Sequence, residues 1–169
     1  MYETQRLLLK HPEFSDWEGM YRNLWRHPES AKFMLWNVTT NAEAAQERMR
    51  RSIAFQEGKP AWFVYEKSSG EPIGFAGFRE IAPGVFEDTG IAVGPAFVGK
   101  GYGKEILNLL TRIAKKEYGA VRFIASCRSE NQASKGMILG CGFRFTHQEN
   151  RIDHRDETPY VLEFYEKAL

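Results

Sequence analysis

A glycine-rich loop inside residues 87–118 constrains the fold more than any other part of the chain. Residues 87–93 alternate towards an apolar run, which is typical of a strand, and residues 105–118 carry apolar side chains at helical spacing. The loop between them reads Gly99-Lys100-Gly101-Tyr102-Gly103-Lys104. The amide N–H groups of such a loop and the positive end of the helix dipole favour an anion at one place. The segment therefore predicts a site for a phosphate-bearing cofactor.

The composition predicts one soluble domain, residues 1–169, in a reducing cytoplasm. A chain of 169 residues can bury a sizeable core. Its 23 basic and 22 acidic side chains give a net charge of +1, which indicates neither nucleic acid nor an anionic membrane as a partner. Cys127 and Cys141 are too few for a zinc site or a disulfide framework, so no metal is expected. We see no signal-peptide layout and no apolar run near the roughly 20 residues of a membrane span.

The hydrophobic periodicity predicts elements in the order β, α, α, β, β, β, α, β, α, β, β, which indicates a mixed sheet with helices on both faces. Two capping boxes, at residues 15–18 and 40–43, predict the starts of the first two helices. Asn131 or Ser129 can cap a later helix that stops at Gly140, and Asn131 is the favoured cap. The polar residues 150–157 are predicted to form a loop. Its acidic residues could attract a cationic ligand or could simply be solvated; they are Asp153, Asp156 and Glu157.

Counting positions excludes two common phosphate-binding loops. A Walker loop would need glycine where Val98 stands and serine or threonine where Glu105 stands. A dinucleotide fingerprint needs the spacing G-x-G-x-x-G in a first βαβ unit, whereas these glycines alternate in the middle of the chain. A nucleotide-binding phosphotransferase is therefore disfavoured.

Four segments resemble motifs of a single enzyme family. The loop at residues 98–103 matches Gln/Arg-x-x-Gly-x-Gly/Ala except that Val98 replaces the first residue. Residues 88–93 resemble the strand that precedes this motif, and Asn131-Gln132-Ala133-Ser134 with Gly142-Phe143 resembles a later segment. Because these segments follow one another along the chain in the order of the family's motifs, the chain resembles the GNAT superfamily of acetyl-CoA-dependent N-acetyltransferases. The opening residues 4–9 resemble its branch that acetylates ribosomal-protein N-termini.

The resemblance implies an α/β (α+β) fold with a mostly antiparallel, six- to seven-stranded sheet. It implies acetyl-CoA as cosubstrate and a primary amine, a protein N-terminus or a small molecule, as acceptor. A homodimer is compatible with the sequence. The residues expected to bind the cofactor are Ile91, Ala92, Val93, Val98, Gly99, Lys100, Gly101, Tyr102, Gly103, Lys104, Asn131 and Ser134.

Three residues are candidates for catalysis. Glu87 and Asp88 precede the thioester-binding strand on opposite faces, so only one can face the site, and the family's strand favours Asp88 as base. Ile138 stands where many members of the family carry a tyrosine that protonates the departing thiolate. The N-terminal-acetylating branch is similar in lacking this tyrosine, and its proposed acid is a serine that Ser134 matches. The alternatives are solvated edge charges for the two carboxylates and a structural first-turn residue for the serine. Cys127, near the expected thioester, is predicted to be inert.

The absent tyrosine leaves an alternative function open. The chain could be a non-catalytic acyl-CoA-binding sensor or a partner-binding module rather than an enzyme. Thiol release from acetyl-CoA in the presence of amines would distinguish the two.

Overall fold

The computed structural model describes residues 1–169 as one eight-stranded sheet with helices on both faces. The strands are β1 (Tyr2–Glu3), β2 (Leu7–Lys10), β3 (Ala61–Glu66), β4 (Pro72–Ala82), β5 (Val85–Val93), β6 (Arg122–Arg128), β7 (Arg144–Ile152) and β8 (Pro159–Ala168). Their order across the sheet is β1-β2-β3-β4-β5-β6-β8-β7, and only β5 and β6 run parallel. The predicted class is confirmed, but the sheet exceeds the expected six to seven strands. The additional strand, β1, has two residues and is too short to show a pattern.

The helices form where capping side chains allow them to begin. They are α1 (Trp17–Met20), α2 (Pro28–Ala31), α3 (Ala42–Gln56), α4 (Tyr102–Tyr118) and α5 (Gln132–Gly140). The cap of α3 is Asn41, which accepts the Ala44 N–H at 2.8 Å, rather than the predicted Thr40. Near α1 the reciprocal box joins Glu13 and Asp16, because a short 3₁₀ turn precedes the helix. None of the helices has both the length and the apolar character needed to cross a membrane.

The sheet separates two hydrophobic cores. All six residues of β3 are buried, and alternate side chains belong to opposite faces. Trp62 and Val64 pack with the apolar stripe of α4, whereas Phe63 and Tyr65 pack with residues of α1 and α3. Burial on both faces fixes the register of this strand, because a slip of one residue would exchange the two sets.

The parallel strands β5 and β6 separate and thereby create an opening. Their ladder joins only Val85, Phe86 and Glu87 to residues 122–124, so the β6-facing edge of residues 88–93 has no strand partner. Towards β4, a register shift makes a bulge beside Gly90, whose φ is +113°. Ligands of open α/β sheets bind beyond the carboxyl ends of parallel strands. The opening is therefore a candidate for a ligand-binding site.

Candidate active site

The glycine loop has the backbone conformation of an anion cradle. Gly99 and Gly101 adopt φ values of +78° and +80°, which glycine reaches without steric cost. The first amide of α4 to bond backward is the Glu105 N–H, to the Gly101 carbonyl at 3.2 Å. The amide N–H groups of residues 98–104 consequently have no acceptor within the chain. The loop thus has the geometry that the sequence predicts.

The side chains of the loop mostly anchor it to the protein. The Tyr102 hydroxyl donates to Glu66 Oε1 at 2.7 Å, and the Lys100 ammonium lies 3.4 Å from the same oxygen. The Tyr102 hydrogen bond is the main cause that lowers the pKa of the buried Glu66. Lys104 directs its ammonium at the end of α5, where a Cβ on Gly140 would meet it at 2.6 Å. The cradle is therefore a backbone device, in which these two lysines are turned towards protein groups.

Gly103 joins the loop to the helix that carries the later motif. A Cβ at this position would lie 2.4 Å from the sulfur of Met137 in α5, so a larger residue would separate the two helices. The close approach fixes α5, and with it Ser134, relative to the cradle.

Arg6 supports the loop and was not identified from the sequence. Its guanidinium donates to the Lys100 carbonyl at 2.9 Å and pairs with Glu105 at 2.6 Å. Glu105 lies in the first turn of α4 beside the cradle, and the ion pair with Arg6 compensates the negative charge of its carboxylate. No local pattern could identify this contact, because 99 residues separate the partners.

The opening between β5 and β6 contains a cavity of about 70 Å³, and two of the three predicted catalytic residues line it. It is lined by Phe33, Met34, Asp88, Gly90, Ile91, Leu107, Ala125, Ser126, Cys127, Arg128, Asn131, Ser134, Met137 and Ile138. Four residues predicted to bind cofactor or take part in catalysis therefore meet here, although they come from β5 and from the start of α5.

Asp88 bridges the two strands where their ladder ends. Its carboxylate accepts the Gly90 N–H at 3.0 Å and the Ser126 N–H at 3.1 Å. Although the residue keeps partial exposure, its carboxylate is enclosed, and this burial raises its pKa to about 6. Glu87 lies on the other side of the strand and pairs with Arg79 at 2.7 Å, outside the cavity. Of the two candidate bases, only Asp88 faces the opening.

The start of α5 presents a hydroxyl to the same cavity. Asn131 caps the helix by accepting the Ser134 N–H at 3.1 Å, as predicted, and the Ser134 hydroxyl makes no hydrogen bond within the chain. Cys127 is buried nearby, and burial raises the pKa of its thiol to about 11. A thiol with that pKa is protonated near neutral pH and is a poor nucleophile. No group of three or more His, Cys, Asp or Glu side chains is arranged to hold a metal.

A larger pocket of about 560 Å³ lies between α3 and the other face of the sheet. It is lined by Trp25, Trp36, Asn37, Val38, Thr39, Thr40, Ala44, Arg48, Arg51, Ser52, Phe55, Gln56, Ala61, Phe63, Phe75, Ala76 and Thr89. Thr89 of this pocket is the neighbour of Asp88 and Gly90, which line the small cavity. The two spaces therefore approach each other at the bulge of β5.

The predicted loop after residue 150 has a different role from the one its acidic residues suggest. Strand β7 continues to Ile152, and Asp153 is buried between Arg128 at 2.6 Å and Arg155 at 2.7 Å. The hydrogen bonds from Arg155, followed by those from Arg128, hold the pKa of this carboxyl far below its usual range. Arg155 also donates to the carbonyl of Trp36 at 2.8 Å. The loop thus fastens the wall of the large pocket, and Asp153 is not available to attract an amine.

Comparisons with known proteins show which family the chain resembles in sequence. The model of the acetyltransferase (GNAT) domain family matches residues 6–144. FsC-acetyl coenzyme A-N(2)-transacetylase of Aspergillus fumigatus is 35% identical over 76 residues, which are 45% of this chain and 32% of that protein. The chain thus spans about a third of the length of that relative.

Two solved structures have the same fold. The GNAT-family acetyltransferase from Bacillus anthracis superposes with a TM-score of 0.83 at 22% identity, covering 98% of this chain and 96% of that one. RimL, a ribosomal L7/L12 alpha-N-protein acetyltransferase in complex with coenzyme A, superposes with a TM-score of 0.80 at 18% identity. The superposition covers 98% of this chain and 96% of that one. Because the family model covers most of the chain, the protein belongs to the GNAT acetyltransferase family, a class of acetyl-CoA-dependent acyltransferases.

Proposed function

We propose that the protein transfers the acetyl group of acetyl-CoA to a primary amine by direct attack. The observation that carries this proposal is the common cavity of Asp88 and Ser134 at the point where β5 and β6 separate. The glycine loop, with its unused amides, follows from the same strand. A thioester held in the opening would therefore meet a carboxylate on one side and a hydroxyl on the other.

The binding of acetyl-CoA would use mainly backbone groups. The free amides of residues 98–104 suit the pyrophosphate, and the unpaired edge of β5 at Ile91, Ala92 and Val93 suits the amides of the pantetheine arm. An N–H on this edge would also stabilise the oxyanion of the tetrahedral intermediate. Backbone recognition explains how Val98 can replace a polar residue without loss of the cradle.

The acetyl transfer requires two proton movements. The amine nitrogen forms a bond to the thioester carbon, and the carbon–sulfur bond breaks as the tetrahedral intermediate collapses. Asp88 accepts the proton that leaves the nitrogen, since a carboxylate with a pKa of about 6 is ionised at neutral pH. Ser134 donates its hydroxyl proton to the departing thiolate of CoA, and solvent restores that proton.

The similar proteins suggest two classes of acceptor. RimL is described as acting on a protein amino terminus, and the Aspergillus relative as a transacetylase of an N(2) position. Both descriptions concern amines, which supports an amine acceptor here.

Thiol release tests the proposed function against the alternative of a non-catalytic acyl-CoA-binding module. We expect CoA thiol to appear when acetyl-CoA is mixed with a panel of amines and peptides, and Ser134→Ala to lower kcat with little change in CoA affinity. Tight CoA binding without thiol release from any amine would favour the module. Failure to bind CoA at all would contradict both functions.

A further inference from the structure

The large pocket contains an arginine clamped between two indole rings. The Arg48 Cζ lies 4.8 Å from the ring centroid of Trp25 and 4.5 Å from that of Trp36. Its Nη1 donates to the Asn37 carbonyl at 3.3 Å and to Thr39 Oγ1 at 3.1 Å. The stacking and these bonds fix the plane of the guanidinium.

One edge of this guanidinium is unused. Neither Nε nor Nη2 of Arg48 has an acceptor within the chain, and no acidic side chain pairs with it. Arg51, one helical turn further along α3, also lines the pocket without an ion pair. Burial and, secondly, the charge of Arg51 lower the pKa of Arg48 to about 10, so it is still a cation at neutral pH. Two neighbouring cations without a carboxylate favour an anion between them.

Two buried polar atoms of the pocket wall also have no partner. The indole Nε1 of Trp36 and the Oε1 of Gln56 are buried without a hydrogen bond, and Gln56 is 5% exposed. Both atoms are covered by the protein itself, so they are not contact groups for a ligand in the pocket. The groups that the pocket offers to a ligand are therefore the two arginine cations among apolar and aromatic side chains.

The position of the pocket relates these groups to the reaction. Thr89 lies in its wall, and the following residue, Gly90, lies in the wall of the acetyl-transfer cavity. A molecule in the pocket can therefore direct one end at the bulge of β5 and the other at α3. A volume of about 560 Å³ suits a small molecule.

We propose that the acceptor is a small amine bearing a carboxylate or a phosphate, which Arg48 and Arg51 bind while its amino group faces the bulge of β5. This inference rests on the proposed acetyl transfer and specifies its substrate class. An arginine edge matches both anions, because both offer two oxygens at the correct spacing.

Matched acceptors test the inference by thiol release. The carboxylate pair is 4-aminobutyrate and 4-aminobutanamide, and the phosphate pair is phosphoethanolamine and ethanolamine. With rates corrected for the fraction of neutral amine, we expect kcat/KM to favour at least one anionic member by roughly 10- to 100-fold, the value of a charge-assisted contact. The pair with the larger ratio identifies the anion.

Variants of α3 locate the preference. Arg48→Gln and Arg51→Gln should abolish the preference for the anionic amine, whereas Arg50→Gln should preserve it. Arg50 is the matched control, because it pairs with Glu47 and lies outside the pocket. If neutral amines, or peptides with neutral N-terminal residues, react as well as anionic ones and the variants do not alter the ratio, the inference is wrong while the proposed function stands. No thiol release with any acceptor would instead contradict the proposed function.

A binding measurement does not depend on transfer. Because Trp25 and Trp36 flank Arg48, indole fluorescence should change saturably when malonate or inorganic phosphate is added. The change should persist in Arg50→Gln and disappear in Arg48→Gln, whose fold is checked by circular dichroism. A wild-type protein without a saturable change for either anion would overturn the anion site.

Discussion

The proposed cofactor side and the proposed acceptor side of the protein are built in opposite ways. The cradle is one contiguous segment, residues 98–104, and offers backbone amides. The large pocket is assembled from Trp25, α3, the segment before α3 and three strands, and offers side chains. A backbone device depends little on residue type, whereas a side-chain device changes specificity with each substitution. If both proposals hold, substitutions in the pocket would alter the acceptor without altering the site for the cosubstrate.

The contrast between backbone groups and side-chain groups is not absolute. The cradle depends on Arg6 and Glu66, which lie far away in the sequence and hold its carbonyl and side-chain groups in place. Asp88 stands where the two sides meet. Substitutions at these positions test how independent the sides are.

The largest expected effect is at Asp88. Asp88→Asn should lower kcat by about 10²- to 10⁴-fold, because the amide cannot accept the amine proton, while CoA affinity changes little. Wild-type kcat/KM should rise with pH through about 6, the raised pKa of this carboxyl, and the variant should lose that step. Activity within a few-fold of wild type, with the pH step retained, would contradict the role of Asp88 as base.

Asp88→Asn should also change the free energy of unfolding, by an amount that depends on pH. Folding raises the pKa of Asp88 from 3.8 to about 6, so the folded state holds the proton more tightly than the unfolded state. Its stabilising contribution is complete below about pH 4 and is lost as the pH rises through 6. The difference in unfolding free energy between wild type and Asp88→Asn, measured by urea titration, should therefore change between these pH values and level off above them. A pH-independent difference would indicate a carboxylate with an ordinary pKa.

Val98 should tune the cradle by charge alone. Its side chain is 61% exposed and its backbone is extended, so substitution causes no strain. Val98→Arg should tighten CoA binding and Val98→Glu should weaken it, each by roughly 3- to 10-fold and less at high salt, because the position is solvated. Calorimetric affinities that are equal in all three proteins would place the phosphates elsewhere.

A double-mutant cycle tests the support of the cradle by Arg6. Arg6→Gln should weaken CoA binding roughly 3-fold, because it leaves the Glu105 carboxylate unpaired beside the phosphate site. Adding Glu105→Gln should restore most of the loss. If the double variant is as weak as Arg6→Gln, the effect comes from the lost bond to the Lys100 carbonyl instead.

The smallest effect is expected at Cys127. Because burial keeps its thiol protonated, Cys127→Ala should change kcat by no more than about 2-fold. Mass spectrometry of the wild type after addition of acetyl-CoA should show no acetylated thiol. An acetyl-enzyme that disappears on addition of amine would contradict direct attack.

The sequence by itself determined the features that depend on neighbouring residues. The spacing of Gly99 and Gly101 specified the loop, and Asn131 was recognised as the cap of its helix because a cap bonds within three residues. Alternation in residues 87–93 reduced the candidate bases to one of two. The family resemblance, confirmed by the domain match, added the expected fold and cosubstrate.

Only the tertiary structure decided which distant side chains meet. It directed Asp88 rather than Glu87 into the opening, brought Arg6 to the loop, and assembled Arg48 with Trp25 and Trp36. The hydrophobic pattern specifies which face of each element is buried. It does not specify how far β5 and β6 remain paired, or which side chains of α3 lie over the sheet. Those contacts depend on strand register and helix packing, which arise from the whole chain together.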